Sequence, residues 1–226
     1  MKQLAIRLPL FLALVCLPLI VLAEPTAAQT QEFQETKALA EKGDVNAQYK
    51  LAGMYTLGVV TPKNDVEAVT WFRKAAEQND PRGQSMLGVM YTNARGVERD
   101  YTEAIKWFNK AAAQKSAHAQ YNLGHMYSTG KGVKQDNVES ANWYRKAAEQ
   151  NDANSQRILG NLYLLGRGVP KDLVHAHAWT SVYAAKGNEP AKKEVLKFEE
   201  QMTPAQIAEA KKLAQEISDK LALLKK

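Results

Sequence analysis

Cysteine is nearly absent. The one thiol among 226 residues, Cys16, stands inside a leading apolar run, so removal of that segment leaves neither disulfide staples nor a thiol nucleophile. Stability must then come from packing. An apolar run long enough to cross a bilayer is also missing. The stretch from Leu8 to Leu22 is 15 residues long and is interrupted by Pro9 and Pro18, whereas a spanning helix needs about 20. It follows Lys2 and Arg7 and ends in Val21-Leu22-Ala23, and so reads as a secretory signal peptide over 1–23, cleaved near Ala23 with the Ala27-Ala28 region as second choice. The bulky Val15 before Cys16 argues against lipidation. The expected location is the periplasm or the exterior, with no membrane contact in the mature form.

Charge of either sign is scarcely in excess. Taking Lys2 and Arg7 from 30 basic residues leaves 28 against 24 acidic ones, a net of +4 with the signs interspersed. No basic and aromatic cluster stands out, so no nucleic-acid partner is expected. The four histidines give no pair at ligand spacing on one helix face: His175 and His177 are two apart, and His118 and His125 are expected on either side of a helix start. Phosphate and dinucleotide loops are missing too. No metal and no cofactor are therefore expected.

What the sequence does have is a period. Trp71, Trp107, Trp143 and Trp179 are 36 residues apart, and the interval is kept by Tyr55, Tyr91, Tyr127 and Tyr163, by Gln48, Gln84, Gln120 and Gln156, and by Leu51, Leu87, Leu123 and Leu159. Each unit reads as two helices. In the third, Ala119, Leu123, Met126 and Tyr127 recur at helical spacing, Gly130 sits where a left-handed residue ends a helix, and Asp136 with Glu139 gives capping-box spacing for the next. The pairs Asn64/Glu67 and Asp100/Glu103 repeat this. Ala104, Trp107, Phe108, Ala111 and Ala112 mark the buried face of a second helix, with the tryptophan filling space between neighbours.

With Leu-Gly, Tyr, Gly-x-Gly-Val, Asp, Trp and Lys-Ala-Ala at fixed offsets, the chain resembles the Sel1-like repeats, relatives of the tetratricopeptide repeats, over roughly 45 to 190. The resemblance implies an all-α fold, a right-handed α/α solenoid of helical hairpins that binds proteins and performs no catalysis. Residues 24–32 are expected to form a flexible leader and 33–45 a capping helix. Four repeats follow at 46–81, 82–117, 118–153 and 154–189 within 46–190, and capping helices occupy 191–226. Copies one and four depart from the pattern. Ala52 and Val60 replace two glycines, and Val182-Tyr183-Ala184 stands for Lys-Ala-Ala, as suits end units. The final helix, opening at Thr203-Pro204, has an apolar seam at Ile207, Ala210, Ala214, Ile217, Leu221 and Leu224, expected to pack on the last unit, with a dimer of the otherwise monomeric chain as the alternative.

A cysteine-rich branch of the resembled family is associated with β-lactam binding or slow hydrolysis, which makes a cell-wall-related enzyme the alternative function. Here the cysteine pairs are missing. Ser128-Thr129-Gly130-Lys131 fits S-x-x-K, but its companions S-D-N and K-T-G are absent. The candidate site lies elsewhere, at the first-helix positions that vary between copies: Tyr49, Ser85, Tyr121 and Arg157; Gly53, Val89, His125 and Asn161; Thr56, Thr92, Ser128 and Leu164. Spaced 4 and 3, they form one stripe on the side expected to line the concave groove. Tyr49, Tyr121, His125, Arg157 and Asn161 are the expected contacts for a protein or peptide partner.

Overall fold

The structure is a computed structural model that describes residues 24–224; the segment read as a signal peptide lies outside the described residues. Among the described residues eleven helices follow one another: α1 (Ala27–Glu41), α2 (Val45–Leu57), α3 (Asp65–Glu77), α4 (Pro81–Asn93), α5 (Tyr101–Ala113), α6 (Ala117–Thr129), α7 (Asn137–Ala148), α8 (Ala153–Leu165), α9 (Leu173–Ala184), α10 (Glu189–Glu199) and α11 (Pro204–Leu223). The described residues contain no strand. The fold is a right-handed α/α solenoid, in which the first helices α2, α4, α6 and α8 each pack on the second helix of their own unit and on the helix before it.

The period is written into the caps. First helices start at Asp44, Asp80, Ser116, Asp152 and Asn188, second helices at Asn64, Asp100, Asp136 and Asp172, and each cap side chain accepts backbone N–H bonds from the first turn. First helices end left-handed at Gly58, Ala94, Gly130 and Gly166. The turns between units also need a positive φ, met by Gly43 and Gly187 at the ends of the array and by Asn79, Lys115 and Asn151 inside it. Two rules thus recur every 36 residues, one for stopping a helix and one for turning to the next.

Interior positions explain the motif. Leu51, Leu87, Leu123 and Leu159 are fully buried, and the glycine after each of the last three lies against the second helix: a Cβ on Gly88 would stand 2.6 Å from the Phe108 ring. The second glycine of Gly-x-Gly faces the preceding unit. A Cβ on Gly96 or Gly168 would collide with the carbonyl of Asp65 or Asn137. Val60 is accommodated at this position in unit one, where no complete unit precedes it. Buried Gln48, Gln84 and Gln156 donate to Ala40, Ala76 and Ala148 carbonyls of the preceding second helix at 3.2–3.3 Å, satisfying groups that a helix end leaves open.

The ends depart from the sequence expectation in one respect. Helix α1 starts at Ala27, inside the stretch expected to be a flexible leader, because Thr26 and Gln29 form a reciprocal capping box at 3.2 and 2.8 Å. It keeps the register of a second helix, with Phe33 and Ala40 buried 36 residues before Val69 and Ala76. At the other end α10 is a first helix, and α11, capped by Thr203 and Gln206, lies along α9. Lys74, Lys110 and Lys146 cover the rings of Trp71, Trp107 and Trp143 at 3.9–4.1 Å. Val182 takes that place in unit four, buried, and Ile217 of α11 packs with Trp179.

Candidate functional site

The varying stripe divides in two. Tyr49 is half-buried, its ring 5.7 Å from Phe72, and the Arg82 guanidinium of the next unit lies over it at 4.7 Å. Arg82 is itself fixed by Asp80 at 2.6 Å and Asn46 at 2.7 Å. Burial pushes the Asp80 carboxyl up, but Arg82 and the backbone N–H groups of Gly83 and Arg82 outweigh it and leave the pKa below the usual range. Ser85 is buried, with its Oγ 2.7 Å from His118 Nδ1. The same register residue of the following unit therefore covers each of the first two positions. At the third junction that residue is the exposed Asn154, which makes no hydrogen bond through its side chain among the described residues.

Beyond this point the stripe is open. Tyr121 is half-buried and meets Tyr144 edge-on at 5.8 Å, His125 follows one turn later on α6, and Arg157 and Asn161 hold the matching positions on α8. Arg157 is exposed and has no ion pair among the described residues. Burial lowers the His125 pKa and the Lys131 ammonium adds to the effect. The structure groups Tyr121, His125, Arg157 and Asn161 on two neighbouring first helices and leaves Tyr49 apart, two units away and covered.

Sequence reasoning missed three members of this region. Tyr144 takes the place of Phe72 and Phe108; burial pushes its phenol up to about 12, against a side-chain hydrogen bond with Ser128 and the charge of Arg157. The substitution of Tyr for Phe in one copy was a readable signal, hidden by assigning second-helix aromatics wholly to the core. Lys193 and Lys197 extend the stripe onto α10, 36 residues after Arg157 and Asn161. Between α8 and α10 lies a hollow of about 520 Å³ floored by Leu164 and Phe198 and edged by Pro190, Lys193 and Lys197. A larger hollow, about 660 Å³, lies at the loop edge beside Tyr127, Asn137 and Gly168.

His118 and His125 do not flank a helix start: both lie on α6, because Ser116 caps that helix ahead of His118. His118 as a residue is exposed, yet its ring is crowded enough that desolvation lowers its pKa, with Asp152 pulling the other way. His177 is 1% exposed, 3.3 Å from Ser181 Oγ and 3.2 Å from Glu199, which pairs with Lys211 at 2.9 Å. The line runs hydroxyl, imidazole, carboxylate. Ser181, however, is within α9, where backbone N–H groups are committed to the helix and unavailable to an oxyanion, so the chain of contacts serves to tie α9, α10 and α11 together. The Ser128 hydroxyl donates to the His125 carbonyl at 2.8 Å, and Lys131 stands 5.9 Å over the Tyr101 ring. No hydrogen bond joins that serine and lysine among the described residues. These residues also contain no cluster of three or more His, Cys, Asp or Glu side chains placed to hold a metal, and no helix long and apolar enough to cross a membrane.

Comparison with known proteins agrees with the geometry. A family model described as Sel1 repeat matches residues 45–80, 81–116, 117–152 and 153–188. The crystal structure of c5321, a protective antigen present in uropathogenic Escherichia coli strains and displaying an SLR fold, is similar at 35% identity and TM-score 0.75 over 85% of this chain. This chain spans only 43% of that protein. A Sel1 repeat protein from Oxalobacter formigenes is similar at 34% identity and TM-score 0.71, covering 85% of this chain and 78% of its own. The immunity protein Pa5087 from Pseudomonas aeruginosa, at 21% identity and TM-score 0.51 over 90% of this chain and 78% of its own, shares the fold. No curated protein matches.

Proposed function

The chain belongs to the Sel1 repeat family, and from that premise we propose that it is an exported scaffold which binds a protein or peptide partner along its first-helix stripe without catalysing a reaction. The observation that carries this reading is the contrast along the stripe. Tyr49 and Ser85 are covered by Arg82 and His118, whereas Tyr121, His125, Arg157 and Asn161 have no such cover. Tyrosine and arginine are residue types that anchor interfaces, and here they stand on packed helices beside an imidazole and an amide that can hydrogen-bond a partner. Export rests on the basic start, short apolar run and small residues of 1–23.

A photo-crosslinking residue placed at His125 should capture a discrete partner in cell-envelope extracts, and the same residue at Lys106, exposed on a second helix, should not. Arg157→Glu should abolish the His125 capture while the melting temperature holds. Equal capture from both positions, or capture indifferent to Arg157→Glu, would remove the stripe as the binding surface. Export is checked by the mass of the mature N-terminus, expected to begin at Glu24.

A further inference from the structure

The open half of the stripe has a chemical sign. Arg157 on α8 and Lys193 and Lys197 on α10 are exposed and make no ion pair among the described residues, unlike Arg82, Arg95, Lys192 and Lys211, each of which has a carboxylate partner. Arg157 holds the register position of Lys193 on α8, 36 residues earlier, and lies outside the lining of the 520 Å³ hollow that Lys193 and Lys197 edge between α8 and α10. Its floor is apolar, made by half-buried Leu164 and by Phe198, which is 3% exposed. Glu194 is the single carboxylate on its wall.

We propose that this end of the stripe docks an acidic peptide segment, one that drops an aliphatic or aromatic side chain onto Leu164 and Phe198 and sets flanking Asp or Glu residues against Lys193, Lys197 and Arg157. The proposal rests on the partner-binding reading above. Division of labour follows from the energetics: exposed ion pairs contribute little each, so the buried apolar side chain supplies the affinity, while the cations select the sign of the segment and its register. A basic segment would set like charges against three unpaired cations. A hollow of this volume is large enough for one bulky side chain and the backbone on either side of it.

The test is selection of a random displayed peptide library on the intact protein, followed by fluorescence anisotropy of the enriched peptides carrying a fluorescein label. The enriched pool should be rich in Asp and Glu around one Leu, Ile, Phe or Trp. Its affinity should fall with added salt, and should drop by about tenfold or more in the double variant Lys193→Glu, Lys197→Glu. Both lysines are exposed, so the variant should fold, which circular dichroism verifies. A pool without acidic excess overturns the proposal, as does an acidic pool indifferent to the double variant. Peptides that depend on Arg157 but not on the lysines would leave the scaffold reading standing and sink this one. Failure to enrich any peptide would count against both.

Discussion

Gln150, just beyond the end of α7, donates to Oε1 of Gln120 in α6 at 2.6 Å, closing the second helix of a unit onto its first. Gln78 with Gln48 and Gln114 with Gln84 do the same at 2.7 and 2.9 Å. The fourth unit breaks the series. Lys186 holds the donor's position and reaches the Asn151 carbonyl at 2.9 Å, and Gln156 Oε1 is buried with no partner.

Restoring that rung should therefore stabilise the array. Lys186→Gln is expected to raise stability by about 0.5–1.5 kcal/mol, the net worth of one hydrogen bond to an otherwise unsatisfied buried acceptor. Urea denaturation measures it, and a loss of stability would show that the lysine's own contacts outweigh the missing bond.

Two glycines in equivalent helices should respond with opposite signs. Gly53 has nothing within 4 Å of a Cβ, so Gly53→Ala should gain about 0.5–1 kcal/mol from helix propensity. Gly88→Ala presses a methyl onto the Phe108 ring and should lose about 1–3 kcal/mol. Melting temperatures moving in the same direction would contradict the packing described for unit two.

Tryptophan truncation should grade with burial. Trp107 is 9% exposed beneath Lys110 and should cost about 3–5 kcal/mol on Trp107→Ala. Trp143 is only half-buried, with its indole N–H buried and unpaired, so Trp143→Ala should cost less. Equal losses in denaturant titrations would refute the ordering.

Acid should weaken the fold in a window set by histidine. Burial lowers the pKa of His125, and desolvation lowers that of His118, so the unfolded chain takes up these protons before the folded one. Stability is complete above the unfolded value of about 6.5 and drains as pH falls from there toward the depressed folded values. Asp65, Asp80, Asp172 and Glu199, also depressed, act only lower, below the ordinary carboxylate range. His118→Asn with His125→Asn should flatten the melting-temperature profile between about pH 7 and 5; an unchanged slope would place the proton uptake elsewhere.

Much of the fold was legible because the repeat states the same local rule several times: Asp100, Asp136 and Asp172 cap, Gly130 and Gly166 turn, Leu123 and Trp107 pack. Features without a repeating partner were not. The Thr26 and Gln29 box lies in a polar stretch that composition reads as a leader, and Ser116, not a residue between the two histidines, starts α6. In the site, helical spacing placed Tyr121 with His125 and Arg157 with Asn161. It gave no sign that Arg82 reaches back over Tyr49, since that contact depends on how far one unit is displaced from the next. Lys193 and Lys197 escaped notice because α10 has no hairpin partner to mark it as a unit.

The fit of Gly96, Gly132 and Gly168 against the backbone of the unit before makes the interior seams interchangeable. A block of 36 residues cut at the turn residues Asn79, Lys115 or Asn151 carries one complete half of each seam, so duplication or excision there changes the array by whole units and keeps the glycine-to-backbone fit. The junction-specific contacts of Arg82 with Tyr49 and of His118 with Ser85 are lost or repeated with their units. After unit four that freedom stops, because Val182 and Trp179 are shaped to receive α11 and offer a further hairpin no lysine-covered ring. The reach of the molecule is thus inherited in discrete steps from its middle, while its closing end is fixed.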